Sequence, residues 1–232
     1  MDPRTFAAIE AHMLSCMNDS AHDEQHIYRV LYAALDLASG YEIDQDVLIA
    51  AALLHDIGRD AQFKNPKLDH AVVGSEMAYA YLVGLGWPKE RAGQVKECIY
   101  SHRYRNNREP ASMEAKLLFD ADKLDVTGTI GIARTLAYKG IVGEPLYSLD
   151  EEGKVLEGDG DAEPSFFQEY HWKLKKVYDK FYTERARRIA EGRRESSEAF
   201  YRNMLAEVAA THRTGRARLA DLLDDMECSE AG

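Results

Sequence analysis

Two short stretches of the sequence carry side chains that could bind a metal ion. In Leu54-His55-Asp56-Ile57-Gly58, an imidazole and a carboxylate stand side by side at the end of an apolar run over residues 47–54. Burying an unpaired aspartate there would cost several kcal/mol, so the pair needs a cation or a hydrogen-bond partner. Upstream, His22 and His26 are one helical turn apart and therefore share a helix face.

A third cluster, Asp120-Ala121-Asp122-Lys123-Leu124-Asp125, follows another apolar stretch. A lone histidine on an amphipathic helix is ordinarily a core or surface residue, but here histidine and aspartate recur beside apolar sequence. Imidazole and carboxylate donors without a thiolate suit Mn, Fe, Ni, Co, Zn or Mg rather than a structural zinc site. The pattern predicts one buried divalent metal ion.

The composition limits the kinds of partner. The chain has 232 residues, 45% of them hydrophobic and 30% charged, with a formal net charge of -11. These values are ordinary for a soluble globular protein, and the negative charge argues against an extended nucleic-acid-binding surface. An anionic substrate would need a local positive site, which a metal ion and a few arginines could provide.

The cysteines and the N-terminus predict a reducing, cytoplasmic location. Cys16, Cys98 and Cys228 are widely spaced without a CxxC pair, so they indicate neither a disulfide framework nor a thiolate metal site. The N-terminus lacks the apolar core of a signal peptide, and no apolar run is long enough to span a bilayer. We therefore expect no membrane partner.

Apolar periodicity predicts an all-α fold. It places helices over about 4–17, 22–39, 45–58, 70–84, 89–102 and 113–125. The third of these begins after Asp44, and Asp69 and Ser112 are suited to cap the fourth and sixth.

The predicted organisation has three parts. Residues 1–140 form a helical core, and residues 141–165 form an acidic, glycine-rich loop with a short ordered piece at Tyr147-Ser148-Leu149. Residues 166–232 form a charged helical pair that packs on the core. In that pair the run Arg185–Arg194 is interleaved with glutamates, which indicates a solvated helix face rather than a binding patch. The pair could close over the site or form a homodimer contact.

The ordered set His26, His55-Asp56 and Asp122 resembles the HD-domain metal-dependent phosphohydrolase superfamily. The chain looks most similar to a bacterial subgroup that includes deoxynucleoside triphosphate pyrophosphohydrolases. That closer similarity rests on three stretches, which are residues 20–30, residues 53–59, and residues 120–125 running into residues 131–135. The resemblance implies an HD-domain helical bundle with additional C-terminal helices.

The resemblance also implies four ligands for one divalent metal ion, which are His26, His55, Asp56 and Asp122. Such an ion would lower the pKa of a bound water and neutralise charge on a phosphate. Asp23 and Asp120, together with Asp125, are candidates for orienting the imidazoles or the water from behind. Helix caps or surface positions are equally compatible with these three aspartates.

Two further histidines, His70 and His102, lie in contexts similar to those of superfamily histidines near the metal. In binuclear relatives such histidines bind a second metal ion, and in mononuclear relatives the region lines the substrate pocket. Because the supply of ligands for a second ion looks thin, both are predicted to bind substrate.

Arg59 and Asp60 follow the metal helix and are predicted to act in catalysis. Relatives that carry a glutamate at the Arg59 position use it to orient the water; this chain does not, and Asp60 is the candidate substitute. Arg59 suits a phosphate oxygen because its planar fork can bind two oxygens. Arg29, Lys123 and the loop over residues 103–108 are further candidates for phosphate contacts, with a solvated surface charge as the alternative for each.

These residues predict a phosphohydrolase of nucleotides or other small phosphate esters, in which metal-bound water attacks phosphorus. The subgroup resemblance implies attack at the α-phosphorus of a deoxynucleoside triphosphate, with release of pyrophosphate. The alternative is a regulatory module that keeps the metal and binds a nucleotide without turnover. A purely structural helical domain is the third interpretation.

Overall fold

The structure is a computed structural model that describes residues 1–17, 24–103 and 108–230, with side chains in the last helix as far as residue 224. The chain divides into two units. The first comprises Met1–Asp125 and Asp179–Glu191, and the second comprises Val126–Tyr178 and Gly192–Gly232. Helices dominate both units, as the sequence predicted.

The first unit contains seven complete helices within its described residues, together with the start of a longer one. In chain order they are α1 (Pro3–Cys16), α2 (Glu24–Leu37), α3 (Gln45–Leu54), α4 (Arg59–Lys64), α5 (His70–Gly84), α6 (Lys89–Ser101) and α7 (Met113–Leu124). Side chains of Asp44, Asp69 and Ser112 accept hydrogen bonds from backbone amides in the first turns of α3, α5 and α7. These bonds confirm the predicted helix starts. The short helix α4 was not predicted.

Helix α3 lies at the centre of the first unit. It is apolar on every side, and residues 50–54 are completely buried. A helix that is apolar all round must be enclosed by other elements, and α3 contacts α1, α2, α5, α6 and α7. It therefore delivers His55 and Asp56, which follow its last residue, into the interior of the unit.

The second unit is built on aromatic side chains. It contains α8 (Gly128–Val142), α9 (Phe166–Glu169), a π-helical turn (Tyr170–Leu174) and most of α10 (Glu184–Glu230). Its buried cluster consists of Ile132, Val155, Phe166, Phe167, Tyr170, Leu174 and Tyr201. An isolated antiparallel bridge joins Leu149 to Val155, at the end of the short piece that the sequence marked as ordered.

The predicted domain boundaries do not coincide with the two units. Residues 126–140 were assigned to the core, yet Ile132 of α8 packs in the aromatic cluster of the second unit. The region predicted as a C-terminal helical pair, residues 166–232, contains the short helix α9, the π-helical turn and the continuous helix α10 of 47 residues. The first eight residues of α10, 184–191, belong to the first unit. Composition marked the glycine-rich segment, but packing defines the units.

None of the described helices combines the length and the apolar character needed to cross a membrane.

Gly58 lets the end of α3 approach the start of α5. A Cβ atom on Gly58 would lie 2.3 Å from the carbonyl oxygen of His70 and 2.6 Å from the amide nitrogen of Gly74. Both neighbours are backbone atoms, so neither can rotate away. This contact brings the segment of Asp56 and Arg59 against the first turn of α5.

We expect Gly58→Ala to lower the free energy of unfolding by about 1–3 kcal/mol, because the added methyl overpacks two backbones. Urea denaturation measures it. Gly93→Ala is the matched control, since Gly93 lies inside α6 and a Cβ there would meet nothing within 4 Å. That control should raise the free energy by about 0.5–1 kcal/mol. Equal stability of Gly58→Ala and the wild type would contradict the close approach.

Candidate metal centre

Four side chains from separate elements meet inside the first unit. His26 lies on α2, His55 and Asp56 follow α3, and Asp122 lies on α7. The Nε2 atom of His26 is 3.3 Å from Asp122 Oδ1 and 3.6 Å from Asp56 Oδ2, and the Nε2 atom of His55 is 3.7 Å from Asp56 Oδ2. The structure thus brings together the four residues named as ligands.

Hydrogen bonds fix which nitrogen of each imidazole faces inward. The Nδ1 atom of His55 lies 2.7 Å from the carbonyl oxygen of Ala52, and Nδ1 of His26 lies 2.8 Å from Asp125 Oδ2. Because both partners only accept, each Nδ1 donates, and in a neutral imidazole the Nε2 atom then carries the lone pair. These two Nε2 atoms are 3.4 Å apart. Two lone pairs at that distance repel each other unless a cation lies between the donors, so the arrangement fits a metal ion.

Asp125 orients His26 from behind and is itself held by Arg29. The guanidinium of Arg29 donates from Nε to Asp125 Oδ1 at 2.7 Å and from Nη2 to Oδ2 at 3.1 Å. Arg29, predicted to bind substrate, is thus placed behind a ligand instead.

Asp120 has a different environment from the one predicted. Its two oxygens accept hydrogen bonds from the amide of Tyr182 and from the amide and hydroxyl of Thr183, at 2.7–2.8 Å. The carboxylate therefore holds the segment that leads into α10, while Asp125 takes the position behind an imidazole. Asp23, the third aspartate predicted as a supporting residue, and His22 lie outside the described residues.

The second oxygen of Asp56 faces a second pair of imidazoles. His70, the first residue of α5, has Nε2 3.5 Å from Asp56 Oδ1, and His102, at the end of α6, has Nε2 3.7 Å from it. Their Nδ1 atoms lie 2.5 Å from Gln62 Oε1 and from the carbonyl oxygen of Ile99, respectively. These lone pairs also point inward, so the ligand supply on this side is larger than the sequence indicated.

Gln62 was missed by sequence reasoning. It lies three residues after Arg59 on α4, and this spacing places both side chains on one helix face. Recognising α4 in the sequence would have revealed it.

Arg59 reaches back to the same oxygen of Asp56. Its Nε atom is 2.9 Å from Asp56 Oδ1, and its side chain is 35% exposed. Asp56 Oδ1 and His70 Nε2 are buried and, within the described part of the chain, have no hydrogen-bond partner of suitable geometry. Charge rather than hydrogen bonding therefore holds this side of the centre.

Burial keeps His55 and His70 neutral. It lowers the pKa of His55 to about 4, and together with the nearby Arg59 charge it lowers the pKa of His70 to about 2. Burial alone would raise the pKa of Asp56, but the Arg59 guanidinium and the surrounding imidazoles outweigh it and hold that pKa well below its ordinary value. Near neutral pH His55 and His70 are therefore neutral and Asp56 is ionised, the protonation states in which imidazole and carboxylate bind metals.

Asp60 and Lys123, predicted from the sequence to act in catalysis and in substrate binding, contact side chains outside the cluster of candidate ligands. Asp60 pairs with Lys64 at 2.7 Å, one turn along α4. Lys123 is buried, with its ammonium 5.1 Å and 5.6 Å from the ring centres of Phe119 and Phe181, and burial lowers its pKa to about 8.

The loop after α6 contributes two arginines on the side of His70. Arg103 and Arg108 lie 3.2 Å and 3.5 Å from the two oxygens of Asp69, the residue before His70. Residues 104–107 of the same loop are outside the described residues.

Comparison with known proteins identifies relatives of this chain. A family model described as the HD domain matches residues 24–127. The Bacillus subtilis protein YpgQ, itself uncharacterised, is 31% identical over 189 residues, which are 80% of this chain and 83% of YpgQ.

Solved structures agree with this comparison. YpgQ in complex with ADP superposes with a TM-score of 0.67 at 28% identity, covering 88% of this chain and 97% of YpgQ. An HD-superfamily hydrolase from Bacillus thuringiensis gives a TM-score of 0.64 at 29% identity, covering 88% and 96%. A predicted HD-superfamily hydrolase from an uncultured Thermotogales bacterium gives 0.57 at 30% identity, covering 88% and 92%.

We expect Asp125→Asn to weaken binding of a divalent metal about 10–100-fold, because the amide holds the His26 ring less well in its orientation. Mn²⁺ titration by calorimetry measures the change. Asp120→Asn is the matched control from the same helix: it should leave metal affinity unchanged and lower the free energy of unfolding by about 1–3 kcal/mol. Equal metal affinities of the two variants would contradict the role of Asp125.

We expect the metal-free protein to lose stability as the pH falls from about 6.5 towards about 4. Over this range the unfolded chain takes up protons at His55 and His70 that the folded chain cannot accept, at a cost of roughly 1 kcal/mol per pH unit for each imidazole. Denaturant titrations across this range measure it. In a His55→Asn variant the pH dependence should be shallower; an unchanged slope would contradict the assignment.

Proposed function

Since the chain belongs to the HD-domain family, with the fold of HD-superfamily hydrolases, we propose that it is a cytoplasmic, metal-dependent phosphohydrolase that acts on a nucleotide. The observation that carries this proposal is the inward-facing donor set. Imidazole Nε2 atoms and carboxylate oxygens from separate elements converge in the interior of the first unit.

In this proposal His26, His55, Asp56 and Asp122 hold one divalent ion. Such an ion supplies a more acidic water and neutralises charge on a phosphate. The protein holds the donors in place: the bonds of Asp125 to His26 and of Ala52 to His55 keep both Nε2 atoms directed inward. Mn is one candidate among the ions that this oxygen and nitrogen donor set accepts.

Arginines on one side of the centre would bind the phosphates. Arg59 is partly exposed beside Asp56, and Arg103 and Arg108 are partly exposed around Asp69. A guanidinium can bind two phosphate oxygens at once, so these three side chains give an anionic ligand a local positive site on a chain of net charge -11. His70 and His102, on the same side, are proposed to face the substrate.

The nucleotide class is supported by a relative. YpgQ has been crystallised in complex with ADP, so a nucleotide is the first substrate to test. Within this class, the resemblance to the pyrophosphohydrolase subgroup favours cleavage at the α-phosphorus of a deoxynucleoside triphosphate.

The test is a phosphate-release assay over a panel of nucleoside and deoxynucleoside phosphates, with and without added pyrophosphatase, in Mn²⁺, Mg²⁺, Co²⁺ and Ni²⁺. We expect phosphate only when pyrophosphatase is added, which identifies pyrophosphate as the product. Asp56→Ala should abolish turnover, and Asp36→Asn, an exposed change on α2, should leave it intact. Absence of turnover with every substrate and ion would refute the proposed phosphohydrolase activity.

We expect Arg103→Gln to raise KM by about 10–100-fold, because the variant loses one charge-assisted hydrogen bond to a phosphate of the substrate. Steady-state kinetics on the best substrate measure it. Lys89→Gln, at the opposite end of α6, is the matched control and should leave KM unchanged. A wild-type KM in the Arg103→Gln variant would show that this side chain does not bind the substrate.

One observation favours the second candidate, a regulatory module without turnover. Asp60, the residue predicted to take a proton, is held in an ion pair with Lys64. Calorimetry with a nucleotide, followed by product analysis of the same sample, separates the two candidates: tight binding with intact nucleotide would support the regulatory module.

A further inference from the structure

The side of the metal centre formed by Asp56 Oδ1, His70 and His102 has the donors of a second metal site. Three ligand atoms lie close enough together to hold an ion, and the two imidazoles present lone pairs because each Nδ1 donates elsewhere. In such a two-metal centre the carboxylate of Asp56 would be shared by the two ions, with one oxygen facing each of them.

A positive group already lies at this position. The Nε atom of Arg59 is 2.9 Å from Asp56 Oδ1, closer than either imidazole nitrogen, which are at 3.5 Å and 3.7 Å. We propose that the Arg59 guanidinium takes the place of a second metal ion on Asp56 Oδ1 and so restricts this centre to one ion. This inference rests on the metal centre of the proposed function and not on its substrate.

The position of Arg59 is set by the backbone. The close approach of Gly58 to His70 and Gly74 fixes the turn that precedes Arg59, and the Arg59 amide donates to the carbonyl oxygen of Asp56 at 3.0 Å. A side chain three residues after Asp56 in this turn is directed back towards it, as the 2.9 Å contact records. The guanidinium is therefore a built component of the centre.

Charge also disfavours a second dication. Asp56 is the one acidic member of the group that includes His70 and His102 in the described part of the chain, and its other oxygen faces His26 and His55. The carboxylate of Asp69, the residue before His70, is engaged by Arg103 and Arg108. A second divalent ion would thus lie beside the positive guanidinium of Arg59, with a single oxygen of Asp56 as its negative partner. The ion and the guanidinium would repel each other, because like charges repel strongly inside a protein.

The experiment counts metal ions in the full chain. Wild type and variants are equilibrated with Mn²⁺, freed of unbound ion by gel filtration, and measured by elemental analysis and electron paramagnetic resonance. We expect about one ion per wild-type chain with the spectrum of an isolated ion. In Arg59→Met we expect about two, with the spectrum of a coupled pair, as for ions about 3.5–4 Å apart.

Three further variants make the result specific. Arg59→Lys keeps the charge and should stay at one ion. Arg185→Met, which removes a guanidinium from an exposed ion pair with Asp36, should also stay at one. His70→Ala combined with Arg59→Met should return the count from two to one, because it removes a donor of the second site.

Two ion counts would overturn the inference while leaving the metal centre itself in place. Two coupled ions in the wild type would mean that Arg59 moves aside for a second metal, and one ion in Arg59→Met at saturating Mn²⁺ would mean that Arg59 excludes nothing. The count does not depend on turnover, so a wild type that binds one ion but hydrolyses no nucleotide would refute the proposed substrate and leave this inference standing. No ion in any variant would refute both.

Discussion

The carboxylate of Asp56 faces the Nε2 atoms of four histidines, each 3.5–3.7 Å from one of its oxygens. All four imidazoles direct Nδ1 to an acceptor, so lone pairs and negative charge meet in the interior. In a low-dielectric environment such a cluster is unfavourable unless positive charge enters it. Arg59 provides that charge beside Oδ1, and on the side of Asp122 the place remains for the proposed divalent ion.

The rest of the first unit can be understood as the means of holding this cluster together. Helix α3 is enclosed because it is apolar on every side, and that enclosure forces the adjacent His55 and Asp56 inward. Gly58 then allows the chain to turn against α5, which brings His70 to the second oxygen of Asp56. Capping at Asp69 fixes where α5 begins and therefore where His70 points. Hydrophobic burial thus stabilises an arrangement that the polar groups alone would not adopt.

The sequence was informative wherever the signal was local. Asp44, Asp69 and Ser112 revealed the helix starts because a capping side chain acts on its own first turn. The sequence was not informative where contacts between residues far apart in the chain determine the position of a side chain. Nothing near His70 or His102 in sequence shows that both face Asp56, and composition around residue 140 could not show that Ile132 joins an aromatic cluster in another unit.

The arginines near the centre show how an acidic chain can prepare a positive site. Each is tied to an aspartate: Arg59 to Asp56, Arg29 to Asp125, and Arg103 to Asp69. An ion pair of this kind lowers the net positive charge but also fixes the direction of the guanidinium. Because the side chain is already ordered, an anion that binds it causes less loss of conformational entropy. Fixed donors stabilise developing charge better than mobile ones, since they need not reorganise as the charge forms. Orientation, rather than excess positive charge, is therefore what would allow a chain of net charge -11 to bind a phosphate here.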